Sequence, residues 1–537
     1  MRHRFSLLII GLVILMLGAA CNAPAQPPGV VSDKPVSGGT LNIPTTDPND
    51  FDMSSQGSTT TNARILKPGY STVLRLKTGP GTGYSDIIVE PFLADRWETS
   101  PDAKTYTFHL RKGVKFANVA PVNGRELTSA DVKWSYEYMA RAGEFSKLTP
   151  SQFGYLFEGL DSITTPDPYT VVVKFTDSFA PFLTYAASSD NVIMPKEVYA
   201  RDGHFKDMIL GTGPFQPDFA SSQKGSSWLI KKNPAYWEEG KPYLDAIKFI
   251  VIADQATEQA AFAAKQIDFH VGSRDPQTWE DIKRNAPGAV QFDYTSTPTI
   301  FALNFERKPL DNLKIRKAFS MALDRDEHIK STGGKGEWAL AYSNIFDKMF
   351  TQEEIKSFIK YDPTGAKALV TEAGFANGIS MELLYGNTDS TTQKTAELIQ
   401  SQMKKANINL TLKPLGSVEF TTARRAKNGD IFLLSEAQRA DLDGAMNLSV
   451  RTGGSFNYNN LADKKVDDLL SGQRKETDPA KRNILLRDLL RYINENALIL
   501  STWRTASAFF WQPYVKDFYH HADLRDVGVL QNVWLAK

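Results

Sequence analysis

The chain is poor in the residues that carry covalent or metal chemistry. One cysteine in 537 residues excludes an intramolecular disulfide and a cysteine-based zinc site. Seven histidines are scattered, and the adjacent pair His520-His521 would point to opposite faces of a strand, so it is not read as a metal site. There is no Gly-x-Ser-x-Gly elbow, no His-Glu-x-x-His helix and no Ser-x-x-Lys motif in a fitting context. Glycine clusters at 79–83 and 211–214 lack the lysine of a phosphate loop and the spacing of a dinucleotide turn; they read as turns needing positive φ. Asp441-Leu442-Asp443-Gly444 echoes a calcium loop without its remaining acidic ligands. Charge of one sign is missing too: 62 Lys and Arg against 61 Asp and Glu leave +1, which argues against a dedicated nucleic-acid binder. Paired carboxylates for glycoside cleavage are always available among so many acids, so an extracellular hydrolase stays as a rival reading.

What is present starts at the N-terminus. Arg2 and Arg4 precede a nearly unbroken apolar run from Phe5 to Leu17, then Gly18, Ala19, Ala20 and Cys21. This is the layout of a secretory signal, and the run is short against the ~20 apolar residues of a bilayer span. The lone cysteine sits where a bacterial lipoprotein box places its lipidated residue, with Gly18 departing from the usual large aliphatic. An uncleaved anchor helix is the alternative. Asn22 to Gly39, rich in Pro, Ala, Gly, Val and Ser, reads as a flexible tether. No later run approaches ~18 apolar residues, so the body is expected to work outside the cytoplasm without spanning a bilayer.

The body alternates strand and helix signals, the pattern of an α/β protein. Strands are expected at Thr40–Ile43, at Tyr106, Phe108 and Leu110, at Val171, Val173 and Phe175, from Ile247, and from Ile408. Helices are expected after Thr128 with Asp131 as a capping box, after Asp311, and after the Asp-Pro pairs Asp362-Pro363 and Asp478-Pro479. An aromatic content of 11% reads as a large core, an aromatic-lined cleft, or both.

A long series of blocks then carries a family resemblance. Pro91-Phe92-Leu93-Ala94-Asp95-Arg96-Trp97-Glu98 leads to Tyr106-Thr107-Phe108-His109-Leu110-Arg111, Val114-Lys115-Phe116 and Leu127-Thr128-Ser129-Ala130-Asp131-Val132. In the same order follow Gly211-Thr212-Gly213-Pro214, Asn233-Pro234-Ala235-Tyr236-Trp237, Ala322-Leu323-Asp324-Arg325, and Asp362-Pro363 with Ala373-Gly374-Phe375. Over about Gly38 to Phe518 the chain resembles the extracytoplasmic solute-binding proteins of family 5, the peptide/nickel type that feeds ABC importers.

The resemblance implies an α/β periplasmic-binding-protein-like clam-shell of the class II, cluster C type: two lobes plus an extra domain, joined by two hinge segments. The expected division is a signal at 1–20, a tether at 21–37, first-lobe pieces at 38–75, 193–297 and 505–537, the extra domain at 76–192 and the second lobe at 298–504. The crossings are placed near Thr297–Asn304 and Ser501–Ser507. It also implies noncovalent capture of a small polar solute by hinge closure, with an oligopeptide as the expected cargo and an oligosaccharide as the alternative on the same fold. The expected partners are that ligand, the permease of an ABC importer and the membrane through a lipid on Cys21. No catalysis, cofactor or metal is expected, and the protein is expected to be a monomer. By the same resemblance, Ala440-Asp441 matches the pair whose carboxylate anchors a peptide ammonium. Gln438 stands where the family often has tryptophan, and Arg439, Trp503 and Ser58 are further candidate ligand contacts.

Overall fold

The computed structural model describes residues 34–48, 51–52, 64–341, 349–387, 390–435, 439, 441–521 and 530–537. Cys21, Ser58 and Gln438 lie outside them.

Period-two burial builds the strands as the sequence pattern requires. Thr105–Leu110 buries Tyr106, Phe108 and Leu110, and Thr170–Phe175 buries Val171, Val173 and Phe175. These two pair antiparallel at the centre of a four-stranded sheet flanked by Ala94–Thr99 and Leu160–Asp167. The helix Ser129–Ala140 belongs to the same unit, its entry fixed by Asp131, whose carboxylate accepts from the Thr128 N–H at 2.8 Å.

One lobe is built from two other sheets. Thr40–Thr45 runs parallel to Ala246–Val251, followed by Ser227–Lys232 and Phe215–Pro217. Trp503–Trp511 lies between Phe269–Ser273 and Val290–Thr295. The second lobe has a five-stranded sheet in the order Ile408–Leu415, Ile379–Gly386, Ile431–Ser435, Thr299–Leu303, Leu500–Ser501. Its central strand is apolar and buried from Ile431 to Leu434 because both faces are covered there, and ends in exposed Ser435. Ile431 and Leu433 pack with Phe301 and Leu383 on one face, while Phe432 and Leu434 pack with Ile300 and Leu384 on the other. Each such aliphatic side chain stabilises by about 1.5–3 kcal/mol when fully buried.

Two short straps join the lobes. One is residues 296–298, between the strands ending at Thr295 and beginning at Thr299; the other is Thr502. They run side by side, since Thr295 pairs with Ala506 on one side and Ile300 with Ser501 on the other. The Ser296 N–H donates to Thr505 O at 3.0 Å, and the Thr502 hydroxyl donates to Thr299 O. The crossing is therefore an almost continuous ribbon, to which Gly336–Trp338 adds a short antiparallel strand along Trp503–Thr505. Arg325, fully buried, fastens the second lobe to it: its Nη2 donates to Ser501 O at 2.8 Å and its Nη1 to Leu323 O at 3.1 Å.

The motif blocks lock onto one another. Asn233 donates from Nδ2 to Gly213 O at 2.9 Å, and its N–H donates to Pro214 O at 2.8 Å. Gly211 and Gly213 are needed for close approach, not for positive φ as expected. A Cβ at Gly211 would stand 2.4 Å from Gly69 O, and one at Gly213 2.5 Å from Pro68 O. Gly79 and Gly81 do take positive φ, at 133° and 77°. One cap shifts as well. Asn312, not Asp311, closes the helix Leu313–Ala322 by accepting from the Lys314 N–H at 2.9 Å, because the residue adjacent to the first helical position has the reach. No helix among the described residues is long and apolar enough to cross a membrane.

Candidate functional site

The lobes enclose a cavity of about 580 Å³ beside the straps. Its first wall comes from residues 255–275, chiefly Gln255, Glu258 and the end of the strand Phe269–Ser273. Its second wall comes from the strand ends Thr299, Gly386 and Leu433–Ser435, with Phe420 and Arg424 from the helix Ser417–Arg425. A size of this order suits a small solute or short peptide.

The acids of the first wall are engaged locally. Glu258 accepts from the Val271 N–H at 3.1 Å and lies 2.8 Å from Nδ1 of buried His270. Asp275 caps the helix Pro276–Asn285, accepting from Thr278 Oγ1 at 2.9 Å. Among the described residues no group of three or more His, Cys, Asp or Glu is arranged to hold a metal.

Farther from the straps, the antiparallel-sheet unit closes against the second lobe through a buried ionic network. Asp443, without solvent exposure, accepts from Arg474 Nη2 at 2.8 Å and from Asn447 Nδ2 at 2.8 Å, and also from Gln473 and the Tyr185 hydroxyl. Burial alone would push its carboxyl up, but the Arg474 guanidinium outweighs that and holds it below the usual range. Glu158 receives both Arg474 and Arg451, and Lys475 reaches Asp177 at 2.7 Å. The backbone joins in: the Ala180 N–H donates to Arg474 O at 2.8 Å.

Two residues nominated from sequence lie at this closure. Asp441 is the N-cap of the helix Leu442–Ser449, accepting from the Asp443 N–H at 2.7 Å, and both its oxygens lie 3.2 Å from Arg482 Nη2. Arg439 is buried, with Nε 3.5 Å from Asp190 Oδ2 and its guanidinium between the Phe153 and Phe456 rings at 5.8 and 6.0 Å. Trp503 lies elsewhere, at the start of the return strand, stacked on His328 with ring centroids 3.8 Å apart. Sequence reasoning missed Glu158, Arg474 and Arg482 at the closure, and Arg274, His270 and Arg424 at the cavity. The closure residues act through partners distant in the chain, and the cavity residues meet only once both walls are in place, so spacing carries no signal for them.

Comparison with known proteins fits this geometry. The dipeptide-binding protein of Escherichia coli (strain K12) is 28% identical over 441 residues, covering 77% of this chain and 79% of that protein. Among solved structures, AgaA of A. tumefacien R10 in complex with agropinic acid superposes with a TM-score of 0.81 at 23% identity, covering 93% of this chain and 99% of that one. DppA of Helicobacter pylori in complex with the peptide STSA gives 0.79 at 22%, covering 94% and 99%. The model of the bacterial extracellular solute-binding proteins, family 5, matches residues 89–458, more than half of the sequence. The chain belongs to that family, and its two-lobed α/β clam-shell is the fold of these neighbours.

Proposed function

We propose that this protein is a lipid-anchored extracytoplasmic receptor that captures an oligopeptide between its lobes and hands it to the permease of an ABC importer. The observation that carries the reading is the cavity whose walls come from two lobes, with the paired straps crossing between them beside it. Such a joint lets bound solute pull the lobes together, and only the liganded form then presents both lobes in one arrangement. Uptake requires release of intact cargo, so binding without turnover is the expected chemistry. The dipeptide-binding relative and the peptide-bound neighbour support peptide as cargo. The oligosaccharide alternative is less well supported. Among the described residues lining the cavity, Phe420 alone is Phe, Tyr or Trp, whereas many rings pack on each other, as do Tyr106, Phe175 and Phe182.

The division into first-lobe pieces at 38–75, 193–297 and 505–537, an extra domain at 76–192 and a second lobe at 298–504 is followed by the sheets of Thr40–Thr45, Ala94–Thr99 and Thr299–Leu303, while the pairings of Leu74–Leu76 with Val89–Pro91 and of Gly336–Trp338 with Trp503–Thr505 cross it. A signal of 1–20, lipid on Cys21 and a tether through residue 37 would hold this body at the membrane as a monomer. Asp441 remains the candidate partner of a peptide ammonium, which would compete with Arg482 for its carboxylate. Arg439, Gln438, Trp503 and Ser58 complete the proposed set of contacts.

A ligand bound only by the native state raises the melting temperature. Peptides of two to five residues are therefore expected to stabilise the purified protein, and sugars and metal chelates to leave it unchanged; stabilisation by sugars alone would replace the peptide reading. Asp441→Asn is expected to weaken peptide binding about tenfold, the loss of one charge-assisted bond. Unchanged affinity by calorimetry would remove Asp441 from the site.

A further inference from the structure

A second cavity, of about 110 Å³, lies apart from the interlobe one and shares no lining residue with it. The segment from Lys67 to Leu76 forms much of its wall, and Phe92, the stretch 187–192 and Leu530-Gln531 form most of the rest. That frame is braced. A Cβ at Gly213 would stand 2.5 Å from Pro68 O, so the chain at Pro68 is seated on the 211–214 turn, and the Ile193 N–H donates to Ser71 O at 2.9 Å. Pockets for small molecules are commonly pre-formed in this way.

The lining combines two chemistries. Leu76, Phe92, Ala187, Val192 and Leu530 are all buried and offer an apolar surface. Beside them stand hydroxyls and two cations, and no lining residue among those described is an acid. Most of these polar groups are engaged: Arg75 by Glu90 and Glu238 at 2.7 Å each, Thr72 with Leu74 O, and Lys67 with the Ser189 hydroxyl. Ser71 is the exception. It is 2% exposed, and its Oγ is enclosed without a hydrogen-bond partner among the described residues. A buried hydroxyl in that state is destabilising until something bonds to it, and an ammonium keeps further N–H donors after meeting one partner.

Size narrows the occupant. A dry cavity of about 150 Å³ takes benzene, so this one suits a body of about four carbons. Charge narrows it again, since an alkylammonium would be repelled by Lys67 whereas an anion gains charge-assisted bonds. We propose that this cavity is a second binding site, taking a short aliphatic monocarboxylate whose oxygens accept from Lys67 Nζ and Ser71 Oγ while its chain packs on Leu76, Phe92 and Val192. The site is separate from the cargo cavity and does not depend on the cargo being a peptide.

The probes are butyrate, 1-butanol and butylammonium, each titrated into the full chain and followed by saturation-transfer NMR, with affinities from calorimetry. Wild type is expected to take up butyrate at one saturable site, at least tenfold more tightly than butanol, and not to bind butylammonium. Ser71→Ala deletes a hydroxyl that has no partner, so the ligand-free variant is expected to melt at the wild-type temperature or above it while losing butyrate affinity tenfold. Lys67→Gln is expected to bring butyrate down to the level of butanol. Ala187→Leu, which fills the cavity, is expected to abolish both; if it fails to melt cooperatively, Ala187→Val serves. Butyrate bound equally well by wild type, Ser71→Ala and Lys67→Gln would put it elsewhere and overturn the inference, as would equal affinity for butyrate and butanol or no saturable binding at all. None of these outcomes touches the peptide reading, which the titration of peptides tests separately.

Discussion

His328 lies flat against Trp503 in the second-lobe core, and burial lowers its pKa from the usual 6.5 to about 3. The ring is therefore neutral in the folded protein at any ordinary pH, while in the unfolded chain it takes up a proton near pH 6.5. The unfolded state binds more protons between these values, so stability falls as the medium is acidified through this window and is regained as pH rises. His328→Phe keeps an aromatic ring against Trp503 but cannot be protonated. In urea melts between pH 6 and 4.5, wild type is expected to lose stability relative to the variant by ~1.4 kcal/mol per pH unit. Parallel pH profiles would show that the imidazole is hydrated or charged in the fold. The same ring contact gives Trp503 a structural partner on one face, which is why its aromatic character and hinge position alone did not define its role.

At the scale of elements, the local signals were the readable ones. Capping is decided within four residues: Asp362 accepts from the Gly365 N–H at 2.8 Å, and Asp478 from Ala480 and Lys481 at 2.9 and 3.1 Å, each followed by the proline the sequence prescribes. Asp478→Ala is accordingly expected to cost about 1 kcal/mol in denaturant melts, and Asp478→Asn much less, since asparagine also caps. Equal losses for the two would mean that the carboxylate's charge, not its acceptor oxygen, holds the helix start. Alternating strands were legible for the same reason, because Phe108 or Val173 needs only its own neighbours to declare which face is buried. The closure was not. Glu158, Asp443 and Arg474 come from separate stretches, and in sequence each reads as an ordinary surface charge. Asp441 was legible as a candidate from its motif, but its cap and its pairing with Arg482 belong to three dimensions. Arg424 likewise sits on a polar helix where an arginine pair reads as a solvated face.

For the molecule as a whole, the bridges at the closure set how tightly the lobes hold together. The Arg451 and Glu158 side chains are 24% and 38% exposed, so solvent screens their attraction and their pairing is worth roughly 0.5–1 kcal/mol. Arg451→Ala should therefore raise the open fraction of ligand-free protein a few-fold and enlarge its radius of gyration in solution scattering. A saturating ligand should restore the wild-type value, because binding energy favours the closed form. Identical scattering from variant and wild type without ligand would show that the stacking of Arg439 on Phe153 and of Arg474 on Phe179, at 5.8 and 5.2 Å, and not this ion pair, sets the balance. Family membership and the clam-shell were legible at this scale from the order of motif blocks, whereas which side chains line the cavity together required both walls in place.

The paired straps carry one more consequence. Because Ser296 is tied to Thr505 and Thr502 to Thr299, sliding one lobe past the other or twisting it about its long direction would tear the ribbon. Bending across it asks for only small dihedral adjustments. The relative motion is thereby reduced to a single angular coordinate, and the bulk of whatever lies in the jaw determines the angle at which it stops.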